Sequence, residues 1–285
     1  MTVKLGIIGY PLGHTLSPVM QIAALSHYGL EGSYDILETP PDELINRFKY
    51  LKKDDYKGFN ITIPHKVAST LFLSSVDDYA NIAGAVNTVL VTDKKDLIGY
   101  NTDINGFVEA IPYKIAKSLD AKKAVILGSG GAARAVAIGL VKLGINDISF
   151  YSRNQEKALH LRKIIIDNFP DVKVHNYPFI EFLDLSYAAI VVNTTPIGMQ
   201  GVDKALSPLS KESVETLNND CVVYDIIYRP KTTKLLQYAK EKRLLTIEGA
   251  EMLIYQGAKA FEIWTEKTAP VEVMRKALLK GLVSG

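Results

Sequence analysis

What this 285-residue sequence lacks narrows it before any motif is read. It holds a single cysteine, Cys221, which excludes an internal disulfide framework and agrees with a reducing compartment. No apolar run approaches the ~20 residues that span a bilayer. No block of one charge stands out either: 33 basic residues face 31 acidic ones, for a net charge of +2. Without a basic stripe there is no footprint for nucleic acid, and without an acidic tract there is no signature of disorder. The five histidines show no metal-ligand spacing, so no metal site is expected. The roughly 20–50-residue periods of solenoids are missing, as is any low-complexity tract. The opening MTVKLGIIGY runs straight into a strand-like segment, with an apolar stretch too short for a leader. The expectation is a cytoplasmic protein with neither membrane nor nucleic acid as partner. Its oligomeric state, monomer or homodimer, is left open.

What is present is an ordinary globular composition, 47% hydrophobic and 22% charged, in a chain long enough for two cores. Strand-like and helix-like patterns alternate. KLGIIGY (4–10), GSYDILET (32–39) and GFNITIP (58–64) read as strands, separated by helical segments at 17–29 and 41–53. That βαβαβ order signals a mostly parallel sheet with helices on its faces. Residues 87–103 read as a hairpin around the charged turn Thr92–Asp96, and 104–118 as a helix. A second α/β series follows, with strands expected at 124–128, 147–153, 172–177, 188–195, 221–228 and 244–249. A helix-rich piece spans roughly 250–285. Two α/β domains meeting near residue 105 are the plain reading.

The segment AVILGSGGAAR places Gly128, Gly130 and Ala133 in the pattern G-x-G-x-x-G/A, after a strand and before a helix. The first glycine permits a tight turn, the second lets a pyrophosphate approach the backbone, and the small third residue lets helix and strand pack closely. An acid about 20 residues on would mark NAD. Asp147 has that separation but starts the next strand, at the wrong end. At the strand's finish stand Ser152, Arg153 and Asn154, with Lys157 a turn beyond. A guanidinium and an ammonium there suit the extra phosphate of NADP. The competing reading is a pair of solvated surface charges.

Ligands of open α/β sheets lie beyond the carboxyl ends of the strands. Lys66 stands just past the 58–64 strand, and Thr15 and Ser17 stand in the first βα connection. Ser17-Pro18 reads as N-cap and N1 of a helix, so the two hydroxyls sit beside a helix N-terminus suited to a carboxylate. A plain helix cap is an equal reading. The hairpin brings Asn87 near Asp103 on one sheet edge, and a Lys66–Asp103 pair results if that end faces the same crevice as Lys66. NTTPIGM (193–199) should line the cofactor side. Tyr228 ends another strand, His65 is a surface neighbour of Lys66, and the lone cysteine is core.

Together these pieces resemble the shikimate dehydrogenase family over almost the whole chain. The resemblance rests on HTLSP (14–18), NITIPHK (60–66), GAVNT (84–88), GYNTD (99–103), GSGGAAR (128–134), SRNQEK (152–157), NTTPIGM, YDIIY (224–228) and GAEMLIYQGAKAF (249–261). It implies a substrate domain of residues 1–105 plus 250–285, a Rossmann domain of 106–249, and an active site in the cleft. It implies Lys66 and Asp103 as the catalytic pair. Thr15, Ser17, Thr62, Asn87, Asp103, Tyr228 and Gln256 would surround the substrate. Gly128, Ser129, Gly130, Gly131, Ala132, Ser152, Arg153, Asn154, Lys157, Thr194, Ile226 and Gly249 would bind or flank NADP(H). The implied reaction is reversible reduction of 3-dehydroshikimate to shikimate, on the route to aromatic amino acids. Two positions depart from the family pattern: Thr15 stands where serine is usual, and Glu251 where glycine is frequent. Two other readings stand beside it: a quinate/shikimate dehydrogenase using NAD, and a non-catalytic nucleotide or metabolite sensor.

Overall fold

Alternating apolar strands and amphipathic helices build two sheets. A computed structural model describes residues 2–13, 15–180, 182–202 and 204–284. The chain divides into two compact units, Met1–Gly106 with Ile254–Gly285, and Phe107–Leu253. His14, which opens the HTLSP motif, lies outside the described residues.

The first unit contains β1 (Val3–Gly9), α1 (Ser17–His27), β2 (Gly32–Glu38), α2 (Leu44–Lys53) and β3 (Tyr56–Ile61). Next come β4 (Ser75–Val76), α3 (Asp78–Ala83), β5 (Thr88–Val91), β6 (Leu97–Tyr100) and α4 (Thr102–Glu109). The sheet runs β2-β1-β3-β5-β6-β4. Parallel strand β1 lies between β2 and β3 and is buried from Leu5 to Gly9, as expected of a strand covered on both faces. Strand β5 is antiparallel to both β3 and β6, and it joins β6 by a short hairpin, which an antiparallel pair allows and a parallel pair does not. Its turn is pinned by Thr92 Oγ1, which accepts from the Asp96 N–H at 3.0 Å.

The second unit has α5 (Tyr113–Ser118), β7 (Lys123–Leu127), α6 (Gly131–Lys142), β8 (Asp147–Ser152), α7 (Gln155–Asn168) and β9 (Lys173–Pro178). It continues with β10 (Ile190–Asn193), α8 (Lys211–Glu215), β11 (Val222–Asp225), α9 (Lys234–Glu241) and β12 (Leu245–Glu248). All six strands are parallel, in the order β12-β11-β10-β7-β8-β9. That doubly wound sheet puts every carboxyl end on one edge. The order turns back at β7, whose neighbours β8 and β10 run onward to opposite edges. The chain returns to the first unit within α10 (Gly249–Thr265), which is followed by α11 (Val271–Ser284). There α1 packs on α11, and the buried Trp264 ring has its indole N–H satisfied by the Val89 carbonyl at 2.9 Å. Among the described residues no helix is long and apolar enough to cross a membrane.

Several sequence expectations change in detail. Helix α1 starts one residue early, so Leu16 occupies the N-cap and Ser17 is the first helical residue, with no side-chain cap. Strand β3 ends at Ile61, leaving Thr62 to Lys66 as a loop. The expected 41–53 helix opens with a 3-10 turn at Pro41–Glu43. The expected 104–118 helix begins at Thr102 and is interrupted at Pro112, which lacks the N–H a continuous helix needs. Strand β11 stops at Asp225, so Tyr228 lies in the following loop rather than ending a strand. His65 is not a surface residue. It is 2% exposed, and its Nε2–H donates to the Thr39 carbonyl at 2.6 Å, tying the loop to β2's exit.

Candidate active site

In the first unit the loop after β3 and the first turn of α4 converge. Lys66 Nζ donates to Asp103 Oδ2 at 2.5 Å, with side chains 20% and 11% exposed. The carboxylate sits at a helix N-terminus, where the backbone dipole favours negative charge. Its second oxygen, Oδ1, accepts from Asn87 Nδ2 at 2.9 Å.

The orientation of Asn87 is fixed from behind. Its Oδ1 accepts from the Thr102 N–H at 2.7 Å, so its amide nitrogen must face Asp103, Thr102 Oγ1 and Gln256 Oε1. A further buried run supports that wall. Tyr34 O–H donates to Asn60 Oδ1, Asn60 Nδ2 donates to Thr88 Oγ1, and Thr88 Oγ1 bonds Thr102 Oγ1. Every member is satisfied, which is the condition for a buried polar network to be rigid. Sequence reasoning missed Tyr34, Asn60, Thr88 and Thr102. The NTD and NIT triplets were visible, but nothing in the pattern says that their side chains meet.

At the first βα connection Thr15 Oγ1 lies 3.3 Å from both Ser17 Oγ and the Ser17 N–H. Ser17 is not spent on capping; its hydroxyl is buried between Thr15 and Tyr34. Thr62 sits just past β3, its N–H donating to the Ile8 carbonyl at 2.9 Å. Gln256, 9% exposed on α10, completes this group of the first unit.

In the second unit a cavity of about 840 Å³ opens at the carboxyl ends of β7, β8, β9 and β10. Gly128, Ser129 and Gly130 form its floor, while Ser152, Arg153, Asn154, Lys157 and Thr194 form its walls. Gly128 has φ +109°, and an added Cβ would stand 2.7 Å from Thr194 Oγ1, so both backbone and space demand glycine there. Gly130 is the N-cap of α6 and lines the cavity, whereas Gly131 and Ala132, the first residues of the helix, are not among its lining residues. Ser129 and Ser152 share a hydrogen bond at 2.7 Å. Asn154 caps α7 by accepting from the Lys157 N–H at 2.9 Å. The Arg153 and Lys157 side chains are exposed at the rim, and among the described residues neither is in an ion pair. Asp147 is at the opposite end of β8, beside Lys123 and His175.

Gly249 also needs its missing side chain, since a Cβ would meet the Ile226 carbonyl oxygen at 2.2 Å. Tyr228 is half-buried and its hydroxyl is pushed upward in pKa by burial, partly opposed by Arg229. Glu251 lies in the first turn of α10. The cavity wall also includes Gln155 and Ile197, from the SRNQEK and NTTPIGM segments, and Phe179, which sequence reasoning did not single out. Phe179 follows β9 directly, so the strand-end rule applied to 172–177 could have found it.

Residues 7–89 match the family described as the shikimate dehydrogenase substrate binding domain, and 249–279 match the shikimate 5'-dehydrogenase C-terminal domain. A shikimate dehydrogenase (NADP(+)) from Synechocystis sp. is 40% identical over 285 residues, covering 99% of this chain and 96% of its own. This chain belongs to the shikimate dehydrogenase family.

Among solved structures, shikimate 5-dehydrogenase from Thermus thermophilus, in complex with NADP(H) and shikimate, is similar with a TM-score of 0.85. It is 35% identical, covering 98% of this chain and 100% of that one. Quinate dehydrogenase from Corynebacterium glutamicum, in complex with NAD, has a TM-score of 0.90 at 28% identity, with 98% and 99% covered. The shikimate dehydrogenase family fold is therefore shared by proteins of different acid and cofactor, and the choice between them rests on the side chains around each site.

Proposed function

We propose that this chain catalyses the reversible reduction of 3-dehydroshikimate to shikimate with NADPH, the first unit holding the acid and the second the dinucleotide. The observation that carries this reading is the Lys66–Asp103 pair at 2.5 Å, with Asn87 holding the other carboxylate oxygen. The dinucleotide supplies a hydride when bound, and the chain's own residues manage the charge that follows. Reducing the ring ketone builds negative charge on its oxygen, which needs a proton and a nearby cation. The Lys66 ammonium offers both. Asp103 aims that ammonium and accepts from a ring hydroxyl, and Asn87 keeps the carboxylate from rotating.

Thr15 and Ser17 donate hydroxyls to the substrate carboxylate, so the ring presents one face only. Thr62 and Gln256 fill the remaining contacts of the first unit. The cavity at Gly128–Gly130 takes the pyrophosphate at the N-terminus of α6. Arg153 and Lys157 take the 2'-phosphate, while Thr194, Ile226 and Gly249 flank the rest of the dinucleotide.

Shikimate oxidation, followed by nicotinamide absorbance with NADP and then NAD, tests the reading. A shikimate-dependent signal that is stronger with NADP supports it. Absence of any such signal, in a preparation that binds NADP, would leave only the sensor reading. The quinate alternative has one observation in its favour, the Thr15 methyl beside the carboxylate seat. Comparing kcat/KM for both acids with both cofactors decides between them.

A further inference from the structure

Among the described residues, Asp225 is the one carboxylate that the proposed reaction leaves unused yet the fold buries completely, at 0% exposure. It sits at the end of β11, and three donors from separate segments converge on it. Its Oδ1 accepts from Asn193 Nδ2 at 3.0 Å and from the Ile227 N–H at 3.1 Å, and its Oδ2 accepts from Thr233 Oγ1 at 2.6 Å. Thr233 is itself the N-cap of α9. Asn193, also 0% exposed, ends β10. With its amide nitrogen committed to Asp225, its Oδ1 must face the other way. There it accepts from the Thr195 N–H at 3.0 Å and Thr195 Oγ1 at 2.7 Å. Thr194 to Ile197 form the β10 wall of the dinucleotide cavity.

We propose that Asp225 is a positioning residue for the dinucleotide: through Asn193 it sets the course of the 194–197 wall, without touching the ligand. An ionised carboxylate is an acceptor at both oxygens, so it can take the two N–H groups on Oδ1 and the Thr233 hydroxyl on Oδ2 together. An asparagine would turn one acceptor into a donor. Burial also pushes the Asp225 carboxyl up to about 6, so near neutral pH the fold carries an ionised group that it would hold more easily as a neutral one. Keeping an acceptor-only group there at a cost in stability is what a positioning role requires.

The inference rests on the second unit binding a dinucleotide, and the test separates the two. Asp225→Asn, Asn193→Asp and the reciprocal double variant are compared by titration of NADP binding and by steady-state kinetics, with thermal unfolding as a check on folding. Asp225→Asn should weaken NADP binding by about ten-fold, the scale of one lost hydrogen bond to a charged group, and leave the KM for shikimate within about three-fold. The double variant restores the amide–carboxylate pair but turns an amide N–H toward the Ile227 N–H, so its NADP affinity should return only in part. Unchanged NADP affinity in a folded Asp225→Asn overturns the proposal. So does a folded double variant that binds no better than Asp225→Asn. If Asn193→Asp fails to fold, the other two variants still decide. A failure of the proposed function appears instead in the wild type, as NADP binding without shikimate oxidation.

Discussion

The two units build their sites from different materials. In the first, Lys66, Asp103, Asn87 and Thr102 are held by one another, each hydrogen bond fixing the direction of the next. In the second, the cavity floor is backbone: a left-handed Gly128 and a glycine N-cap at the start of a helix, with charged side chains only at the exposed rim. The contrast follows from the task. Proton transfer needs one amine in one place, and a buried, satisfied network supplies that. A pyrophosphate is bound by its charge at a helix N-terminus, so the backbone suffices and specificity is left to the rim.

The comparison can be broken by disabling each half in turn. Lys66→Met removes the ammonium while keeping the stem, and kcat for shikimate oxidation should fall by about 10²–10⁴, the usual worth of a positioned acid–base group. NADP binding should be unchanged, and near-normal turnover would end the assignment. At the rim, Arg153→Ala with Lys157→Ala should raise the KM for NADP by about 10–100-fold, as expected for lost bonds to a charged phosphate. The KM for NAD should hardly move, and parallel losses with both cofactors would show that the side chains do not read the phosphate.

Between these stands the buried carboxylate of the second unit. Burial raises the Asp225 pKa to about 6, so the folded state favours the protonated acid. That contribution is fully present below the unfolded value near about 4 and is lost as pH rises through about 6. The wild type should therefore lose stability relative to Asp225→Asn between those limits, by on the order of 3 kcal/mol. Denaturant unfolding of both proteins across that range checks the sign, and a constant difference refutes it. The smallest effect is expected at the carboxylate seat. Thr15→Ser removes one methyl, and should change the ratio of kcat/KM for shikimate over quinate by less than about ten-fold, the lower end for one such group. No change at all would mean that the methyl does not meet the acid.

Local rules made the second unit the more legible. Gly128 is needed for the conformation of its own residue, and strand–turn–helix context is contained within AVILGSGGAAR, so pattern alone reached it. The hairpin arithmetic also carried: a turn at 92–96 puts Thr88 opposite Tyr100, and Asn87 then meets Asp103 at 2.9 Å. His65 was misread because a histidine between proline and lysine looks solvated, whereas its buried ring is held by the Thr39 carbonyl, 26 residues earlier. Tyr228 was misplaced because CVVYDIIY stays apolar after Asp225 has ended the pairing with β12.

What the sequence determined by itself was periodicity and punctuation: which stretches are strands, where glycine frees the backbone, and that a second α/β series follows the first. Those depend on neighbours a few residues apart. Only the tertiary structure decided that Tyr34, Asn60, Thr88 and Thr102 stand behind Asn87, and that Asp225 reaches Asn193. A hydrogen bond between residues tens of positions apart depends on strand order and register, and side-chain polarity carries no label for its partner.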